Sequence, residues 1–299
     1  MIETKHSILF PQGGLGNQMI QYAYISSLQK RCFHSVEVNL TLFNSFLTKL
    51  RNIKLWRFHD LLYGYFPLRS NLYSYNDLIS LFINKKRNFV ITDQLEDIEI
   101  LSRLAGDDHN SIGHFFFFGY FQRYEAFSED SFKFWDYLLS KLELSYSSMK
   151  SFDEIAVHIR LGDYCEIKNK KIYSHNSISS QLAKALQLKN KISSTRKIII
   201  FSDSPELIHL YFLENELMRN HFMISHQLTM EQDFKELSTY KNIIGTNSTF
   251  SLCAGMLSWR LSEMSNTPLY LSDNWFVDSS RNKAMLKQLS KCSFIDTNN

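Results

Sequence analysis

Three short polar clusters in the second half of the sequence carry residue types suited to binding a phosphorylated ligand. They are 158–164, which contains Arg160, then Ser202-Asp203, and 246–249, which reads Thr-Asn-Ser-Thr. The last cluster opens a predicted helix, where free backbone N–H groups, small hydroxyls and the helix dipole favour a phosphate. Arg160 supplies a planar, permanently charged fork suited to a second phosphate oxygen. Together the clusters predict a site for a diphosphate-linked ligand.

The elements that must position these clusters are the strands of a sheet. Five apolar runs predict strands, at 155–160, 197–201, 222–225, 242–245 and 268–271. Predicted helices lie between several of these strands. Sequence patterns typical of helices occur at 177–189, from Pro205 onward, and from Phe250 to Leu261. Strands that alternate with helices predict a parallel sheet covered on both faces. Ligands bind such sheets outside the carboxyl ends of the strands, which is where the clusters fall.

Each residue of the clusters also has an ordinary structural interpretation. Arg160 could pair with a structural carboxylate, and His158, inside a strand, could be a hydrogen-bonded core histidine. The stretch 247–249 could be only a helix cap, and Asp203 before Ser-Pro-Glu is another cap candidate. The joint placement at strand ends is what favours a ligand site.

The first half of the chain predicts a second α/β domain. A short strand at 7–10 leads into a glycine-rich turn at 13–16, then Asn17-Gln18 and a helix to about residue 30, with another strand at 36–40. The turn is neither GxGxxG nor a P-loop, so an NAD-dependent oxidoreductase is poorly supported. A tight turn alone would explain the glycines. We expect two α/β domains facing a cleft, divided into residues 1–147 and 148–299.

Composition narrows the function classes. The 299 residues include 33 Lys and Arg against 30 Asp and Glu, a net charge of +3 that gives no footprint for nucleic-acid binding. The 4 cysteines are widely spaced, which favours reduced, buried thiols over a zinc site or a disulfide framework. The longest apolar runs, such as Phe115 to Phe118, fall far short of the roughly 20 residues of a membrane span. These features predict a cytoplasmic protein, with peripheral contact to an acidic membrane left open.

The polar clusters, taken with other stretches, resemble the α-1,2-fucosyltransferases of glycosyltransferase family 11. The run 13–23 looks like the N-terminal signature of that family, and 158–164 resembles its HxRRGDY motif. The remaining matches, in family order, are 119–122 with 124–127, then 201–203, 247–251 and Trp275-Phe276. The matched stretches span nearly the whole chain.

The resemblance implies a GT-B architecture, with an acceptor-binding domain at 1–147 and a GDP-sugar-binding domain at 148–299, whose last helix could pack back on the first. It implies transfer of L-fucose from GDP-fucose to the 2-hydroxyl of a galactoside, with inversion and without a metal or other cofactor. The sequence contains no DxD, so Arg160 and the Ser248-Thr249 amides and hydroxyls would neutralise the leaving diphosphate. The acceptor would be a terminal galactose of a surface polysaccharide or lipopolysaccharide O-antigen, chosen by the segment 41–110.

The site residues expected from motifs and resemblance fall into three groups. The catalytic candidates are Arg160 and Asp163, of which Asp163 could be the general base or could only orient the arginine. The donor-binding candidates are His158, Arg160, Ser202, Asp203, Asp233, Asn247, Ser248, Thr249 and Phe250. Among these, Asp233 would accept from the guanine N–H groups. The acceptor or cleft candidates are Gly14, Gly16, Asn17, Gln18, Gln122 and Tyr164.

One residue departs from the family pattern. Leu161 stands where the family usually has a second arginine. Because neighbours in a strand point to opposite faces, Leu161 would belong to the core while Arg160 points out. The loss of the second arginine keeps two alternatives open: a non-catalytic GDP-sugar or glycan-binding protein, and a transferase that uses another GDP-sugar.

Overall fold

The computed structural model divides the chain into two compact units, residues 1–138 and 139–299. It describes residues 6–32, 35–38, 60–68, 88–92, 114–162, 178–226, 229–265, 268–271 and 275–296. Each unit is built on its own parallel sheet flanked by helices. The mixed α/β class with parallel sheets, expected from the sequence, is therefore confirmed.

The first unit contains a parallel sheet with strand order β2-β1-β4-β3. Its strands are β1 (His6–Leu9), β2 (Ser35–Val38), β3 (Asn88–Thr92) and β4 (His114–Phe118). Its described helices are α1 (Leu15–Cys32) and α2 (Phe132–Lys141), with short 3-10 turns described at Asp60–Leu62, Tyr124–Phe127 and Glu129–Ser131. Helix α2 extends across the division between the units.

Aromatic side chains fill the core of the first unit. The phenyl rings of Phe10 and Phe118 stack with centroids 4.3 Å apart, so the chain leaving β1 packs against the end of β4. The Trp135 indole donates a hydrogen bond of 2.9 Å to the carbonyl of Ala126, which ties α2 to the 3-10 turn before it. Helix α1 is buried on nearly all sides, so it lacks the polar face of an ordinary surface helix.

The second unit contains a parallel sheet with strand order β10-β9-β8-β5-β6-β7. Its strands are β5 (Ala156–Ile159), β6 (Ile198–Ser202), β7 (Phe222–Ile224), β8 (Ile243–Gly245), β9 (Leu269–Leu271) and β10 (Ile295–Asp296). Its helices are α3 (Ile178–Lys191), α4 (Pro205–Glu214), α5 (Glu216–Arg219), α6 (Met230–Leu237), α7 (Thr249–Leu261) and α8 (Ser279–Leu289). A 3-10 turn lies at Tyr146–Ser148.

Successive residues from β5 onward pack on opposite faces of this sheet. Val157, Ile159 and Leu161 join one hydrophobic cluster with the inward face of α3. His158 points to the other face, against the start of α7. Leu161 is only 2% exposed, which confirms that it lies on the core side where the family has its second arginine.

All five strands expected in the second half are present, with ends shifted by at most one residue. The sequence missed β3 and β10 and gave no bounds for the expected last helix, α8, and it assigned Phe115 to Phe118 to the core without recognising them as a strand. Among the described residues, no helix is long and apolar enough to cross a membrane. Of the cysteines, Cys253 and Cys292 are buried free thiols, as expected.

Candidate functional site

The structure brings the three polar clusters together at one edge of the second sheet. Strand β5 lies between β6 and β8, and all three run parallel. In the strand register, Ile159 is paired with Ser202 and His158 with Gly245. The residues that follow these positions therefore emerge side by side at the carboxyl edge, as the sequence predicted.

The side chain of Arg160 is held by Asp203. Its Nη1 lies 3.0 Å from Asp203 Oδ2, and the other carboxylate oxygen accepts from the backbone N–H groups of Leu161 at 2.9 Å and Gly162 at 3.3 Å. The structural-carboxylate alternative is thus realised, yet the two side chains keep 24% and 23% of their surface exposed. A guanidinium has five N–H donors, so one such group can hold a carboxylate and a phosphate oxygen at once.

The backbone of Arg160 is also tied to the third cluster. Its N–H donates to Thr246 Oγ1 at 3.1 Å, and the N–H of Thr246 donates to the carbonyl of His158 at 3.1 Å. The chain leaving β5 is therefore fixed to the chain leaving β8. Thr246 was part of a predicted cluster, but the sequence did not single out its hydroxyl as the link.

Ser202 and Asp203 do not act as caps of α4. The Ser202 hydroxyl donates to the carbonyl of Ile159 at 2.9 Å and accepts from the N–H of Ser204 at 3.2 Å. Ser204 occupies the cap position, with Pro205 in the first turn. The Ser202 hydroxyl thus links β6 to β5. The carboxylate of Asp203, which is not used as a cap, pairs with Arg160.

His158 is buried and neutral. Its Nδ1 lies 2.7 Å from Ser251 Oγ, and its ring stacks on Phe250 with centroids 4.9 Å apart. Burial lowers the pKa of His158 to about 4; Asp203 opposes that shift and Arg160 adds to it. The histidine therefore fixes the first turn of α7, which agrees with the core interpretation. Its partner Ser251 was missed as a contact, although it closes the quoted motif 247–251.

The buried state of His158 makes stability depend on pH. The unfolded chain gains a proton on this ring below about pH 6.5, whereas the folded chain gains it only near pH 4. The contribution of the neutral His158 ring to the free energy of unfolding is therefore complete above pH 6.5. It is lost as the pH falls, by on the order of 3 kcal/mol at pH 4. Urea unfolding of wild type and His158→Asn between pH 7 and pH 4.5 should show a steeper loss in the wild type. Parallel curves would contradict the assignment.

The start of α7 uses its polar side chains in the fold. Ser248 is the cap, accepting from the N–H of Phe250 at 3.3 Å, and Thr249 is the first helical residue. The Asn247 amide donates to the carbonyl of Trp275 at 2.9 Å. The alternative that this stretch caps a helix is therefore also confirmed. The Asn247 hydrogen bond brings together two of the stretches that resemble the family, 247–251 and Trp275-Phe276.

Asp233 lies on α6, near the carboxyl end of β7. Its Oδ1 accepts from the hydroxyl of Ser225, which directly follows β7, at 3.1 Å. Burial raises the pKa of Asp233, the Ser225 hydrogen bond opposes that shift, and Glu236 adds to it. The structure thus places this carboxylate one strand beyond β6, at the same edge of the sheet.

In the first unit, the two predicted cleft motifs meet. Gln122 Nε2 donates to Asn17 Oδ1 at 3.1 Å, because β1 and β4 are parallel neighbours whose following turns share one edge. Gln18 is buried and its amide donates to the carbonyl of Gly13 at 2.7 Å. Gly14 accepts from the N–H of Gln18 at 3.1 Å.

The remaining residues of the predicted site are Gly16, Asp163 and Tyr164. Gly16 lies in the first turn of α1. Asp163 and Tyr164 lie outside the described residues, as does most of the segment 41–110. Within the described part of the chain, no three His, Cys, Asp or Glu side chains are grouped so that they could hold a metal ion.

Comparison with known proteins identifies a family. The model of a family described as glycosyl transferase family 11 matches residues 5–285. A search of curated proteins gave no match.

The solved structures to which this chain is similar include several fucosyltransferases. The structure of an Arabidopsis thaliana FUT1 mutant in complex with GDP is 12% identical, with 85% of this chain and 68% of that chain covered and a TM-score of 0.48. POFUT1 in complex with GDP-fucose is 10% identical, with 90% and 97% covered and a TM-score of 0.48. NodZ α-1,6-fucosyltransferase co-crystallised with GDP is 12% identical, with 84% and 92% covered and a TM-score of 0.45.

Proposed function

Because the chain belongs to glycosyl transferase family 11, we propose that it transfers L-fucose from GDP-fucose to the 2-hydroxyl of a galactoside. The resemblance of the motifs supports the donor and the α-1,2 linkage. It also supports a terminal galactose of a surface polysaccharide or O-antigen as the acceptor, modified in the cytoplasm or at the inner face of the cell membrane. In this proposal 148–299 binds the GDP-sugar and 1–147 binds the acceptor.

The observation that carries the proposal is the ion pair between Arg160 and Asp203 at the carboxyl edge of the second sheet. The pair is only partly exposed, and Asp203 fixes the guanidinium at 3.0 Å. A cation held in place before the ligand arrives needs no reorganisation when the charge of the transition state develops. Arg160 would therefore stabilise the diphosphate as it leaves, beside the first turn of α7.

The chemistry proposed is a direct displacement. The acceptor oxygen forms a bond to the anomeric carbon of fucose while the bond from that carbon to the diphosphate oxygen breaks, so the configuration inverts. The bonding electrons leave with GDP, through an oxocarbenium-like state. The hydroxyl proton passes to a carboxylate, for which Asp163 is the candidate, or to the departing phosphate. No metal is required, because Arg160 supplies the positive charge.

The contribution of Asp203 can be measured separately. Asp203→Asn keeps an oxygen for the Leu161 and Gly162 amides but removes the charge that fixes Arg160. We expect kcat/KM for transfer to fall by up to about a hundredfold, because a catalytic group misplaced by about 1 Å can lose that much. A double variant with Arg160→Ala should be no slower than Arg160→Ala alone. Additive losses would show that Asp203 acts independently of the arginine.

A donor and acceptor screen tests the function itself. The protein is incubated with GDP-fucose, GDP-mannose or UDP-galactose and a panel of β-galactosides in the presence of EDTA, and the product linkage is read by NMR. The proposal expects an α-1,2-fucosylated galactoside from GDP-fucose. Binding of GDP-fucose without product or GDP release would favour the non-catalytic alternative, and product from GDP-mannose alone would favour another donor.

A further inference from the structure

Tyr120 is an exposed aromatic residue at the carboxyl edge of the first sheet. It follows β4, and its side chain is 37% exposed. The next residue, Phe121, adopts a left-handed backbone conformation with φ 47° and is fully buried. Phe121 stacks on Tyr24 with centroids 5.1 Å apart and meets Phe117 edge-on at 5.9 Å. This anchoring turns Tyr120 outward and fixes its backbone.

The ring of Tyr120 lies directly over the glycine turn that follows β1. A Cβ atom at Gly13 would lie 3.0 Å from Tyr120 Cε1 and 2.7 Å from Asn17 Nδ2. The tyrosine ring and the asparagine amide therefore converge on the same point of bare backbone. Gly13 has φ 76°, a conformation that disfavours a side chain, so the turn itself requires glycine here.

A pair of amide hydrogen bonds holds this turn in place. The buried Gln21 accepts from the N–H of Gln12 at 2.9 Å and donates to the carbonyl of Gln12 at 3.0 Å. The turn after β1 is thus fastened to α1, just as Phe121 fastens the turn after β4. Both sides of the surface under Tyr120 are therefore set before any ligand arrives, which lowers the entropy cost of binding.

The polar groups beside Tyr120 suit a polyhydroxylated ligand. Gln122 Nε2 donates to Asn17 Oδ1 at 3.1 Å, an arrangement that presents Asn17 Nδ2 as a donor and Gln122 Oε1 as an acceptor. Both side chains are partly exposed. A sugar ring has an apolar C–H face and hydroxyls on its rim that both donate and accept. An aromatic ring beside a pair of amide side chains matches that combination.

We propose that Tyr120, Asn17 and Gln122 bind the hexopyranose of the acceptor, with the Tyr120 ring packed against the apolar face of the sugar. The inference rests on the proposed function for the role of this sugar as acceptor, but the binding itself does not require turnover. Tyr120 then determines affinity for the acceptor and leaves GDP binding to the second unit.

The test measures sugar binding and turnover separately. The binding of methyl hexopyranosides, methyl β-galactopyranoside among them, is followed by NMR titration in the presence of GDP, and KM for a galactoside is measured with GDP-fucose. Tyr120→Ala should raise both the Kd for the hexopyranoside and KM for the galactoside about tenfold. Its GDP affinity should be unchanged. Tyr120→Phe, which keeps the ring, should stay within about twofold. Tyr146→Ala, which removes a tyrosine 62% exposed in the second unit, is the matched control and should change nothing.

The outcomes separate this inference from the proposed function. Unchanged sugar binding and KM in Tyr120→Ala overturn the inference, as does the failure of every methyl hexopyranoside to bind the wild type. Tyr120→Leu keeps the bulk without the ring and replaces the alanine variant if that variant does not fold. A wild type that makes no product from any GDP-sugar but binds the hexoside through Tyr120 supports the inference and contradicts the proposed function.

Discussion

Arg160→Ala is expected to lower kcat/KM for sugar transfer about a thousandfold, the loss seen when one group that stabilises transition-state charge is removed. The effect should fall mainly on kcat, because the charge on the leaving diphosphate grows as the bond to the sugar breaks. Steady-state kinetics with GDP-fucose and a galactoside measure it. Arg160→Lys should recover only part of the rate, since an ammonium cannot bond Asp203 and a phosphate in the same planar geometry.

The matched control is Arg196→Ala. Arg196 belongs to the same unit and also pairs with carboxylates, at 3.0 Å to Asp153 and 3.1 Å to Glu154. These pairs lie on the surface, away from the strand ends that carry Arg160, so this variant should keep wild-type kcat/KM. Equal losses in the two variants would mean that Arg160 acts only through stability.

The second large effect concerns the arginine that this chain lacks. Leu161→Arg restores the family's residue, yet it is expected to destabilise the fold by at least about 3 kcal/mol, because it places an unpaired charge in the core. Leu161 is 2% exposed and packs with Ile159 and the cluster under α3. A loss of this size corresponds to a melting temperature lower by about 10 °C.

Leu161→Met is the control for this substitution. Methionine is similar in volume and apolar, so its melting temperature should lie within about 5 °C of the wild type. Thermal melting followed by circular dichroism compares the two variants. A stable Leu161→Arg protein with faster turnover would show that residue 161 can reach the ligand, and the account of the missing arginine would be wrong.

Much of the second unit could be predicted because its strands are short apolar runs bounded by polar residues. The run Lys197-Ile-Ile-Ile-Phe201 became β6 (Ile198–Ser202), with Pro205 in the first turn of the next helix. Strand β10 could not be predicted, since its described part is two residues, Ile295 and Asp296, whose pairing with β9 is set by the surrounding fold. The run Phe115 to Phe118 shows no alternation of apolar and polar residues, because most of it is buried on both faces.

That the three polar clusters would gather at one sheet edge followed from the sequence, but the partners of their residues did not. Polar residues at strand ends predicted which side chains would gather. Whether Asp203 would cap α4 or bind Arg160 depends on how close β5 and β6 come, which is a tertiary property. The same holds for His158, since its partner Ser251 is supplied by α7 after a crossover. The roles given to the site residues in donor binding stay predictions.

The central claim is that Arg160 binds the diphosphate of the donor. Calorimetric titration of wild type and Arg160→Ala with GDP and with GMP tests it most directly, because the two nucleotides differ only in the second phosphate. The account predicts that the wild type binds GDP about 30-fold more tightly than GMP, and that the variant binds both nucleotides with nearly equal, weak affinity. A variant that keeps the full preference for GDP would contradict it.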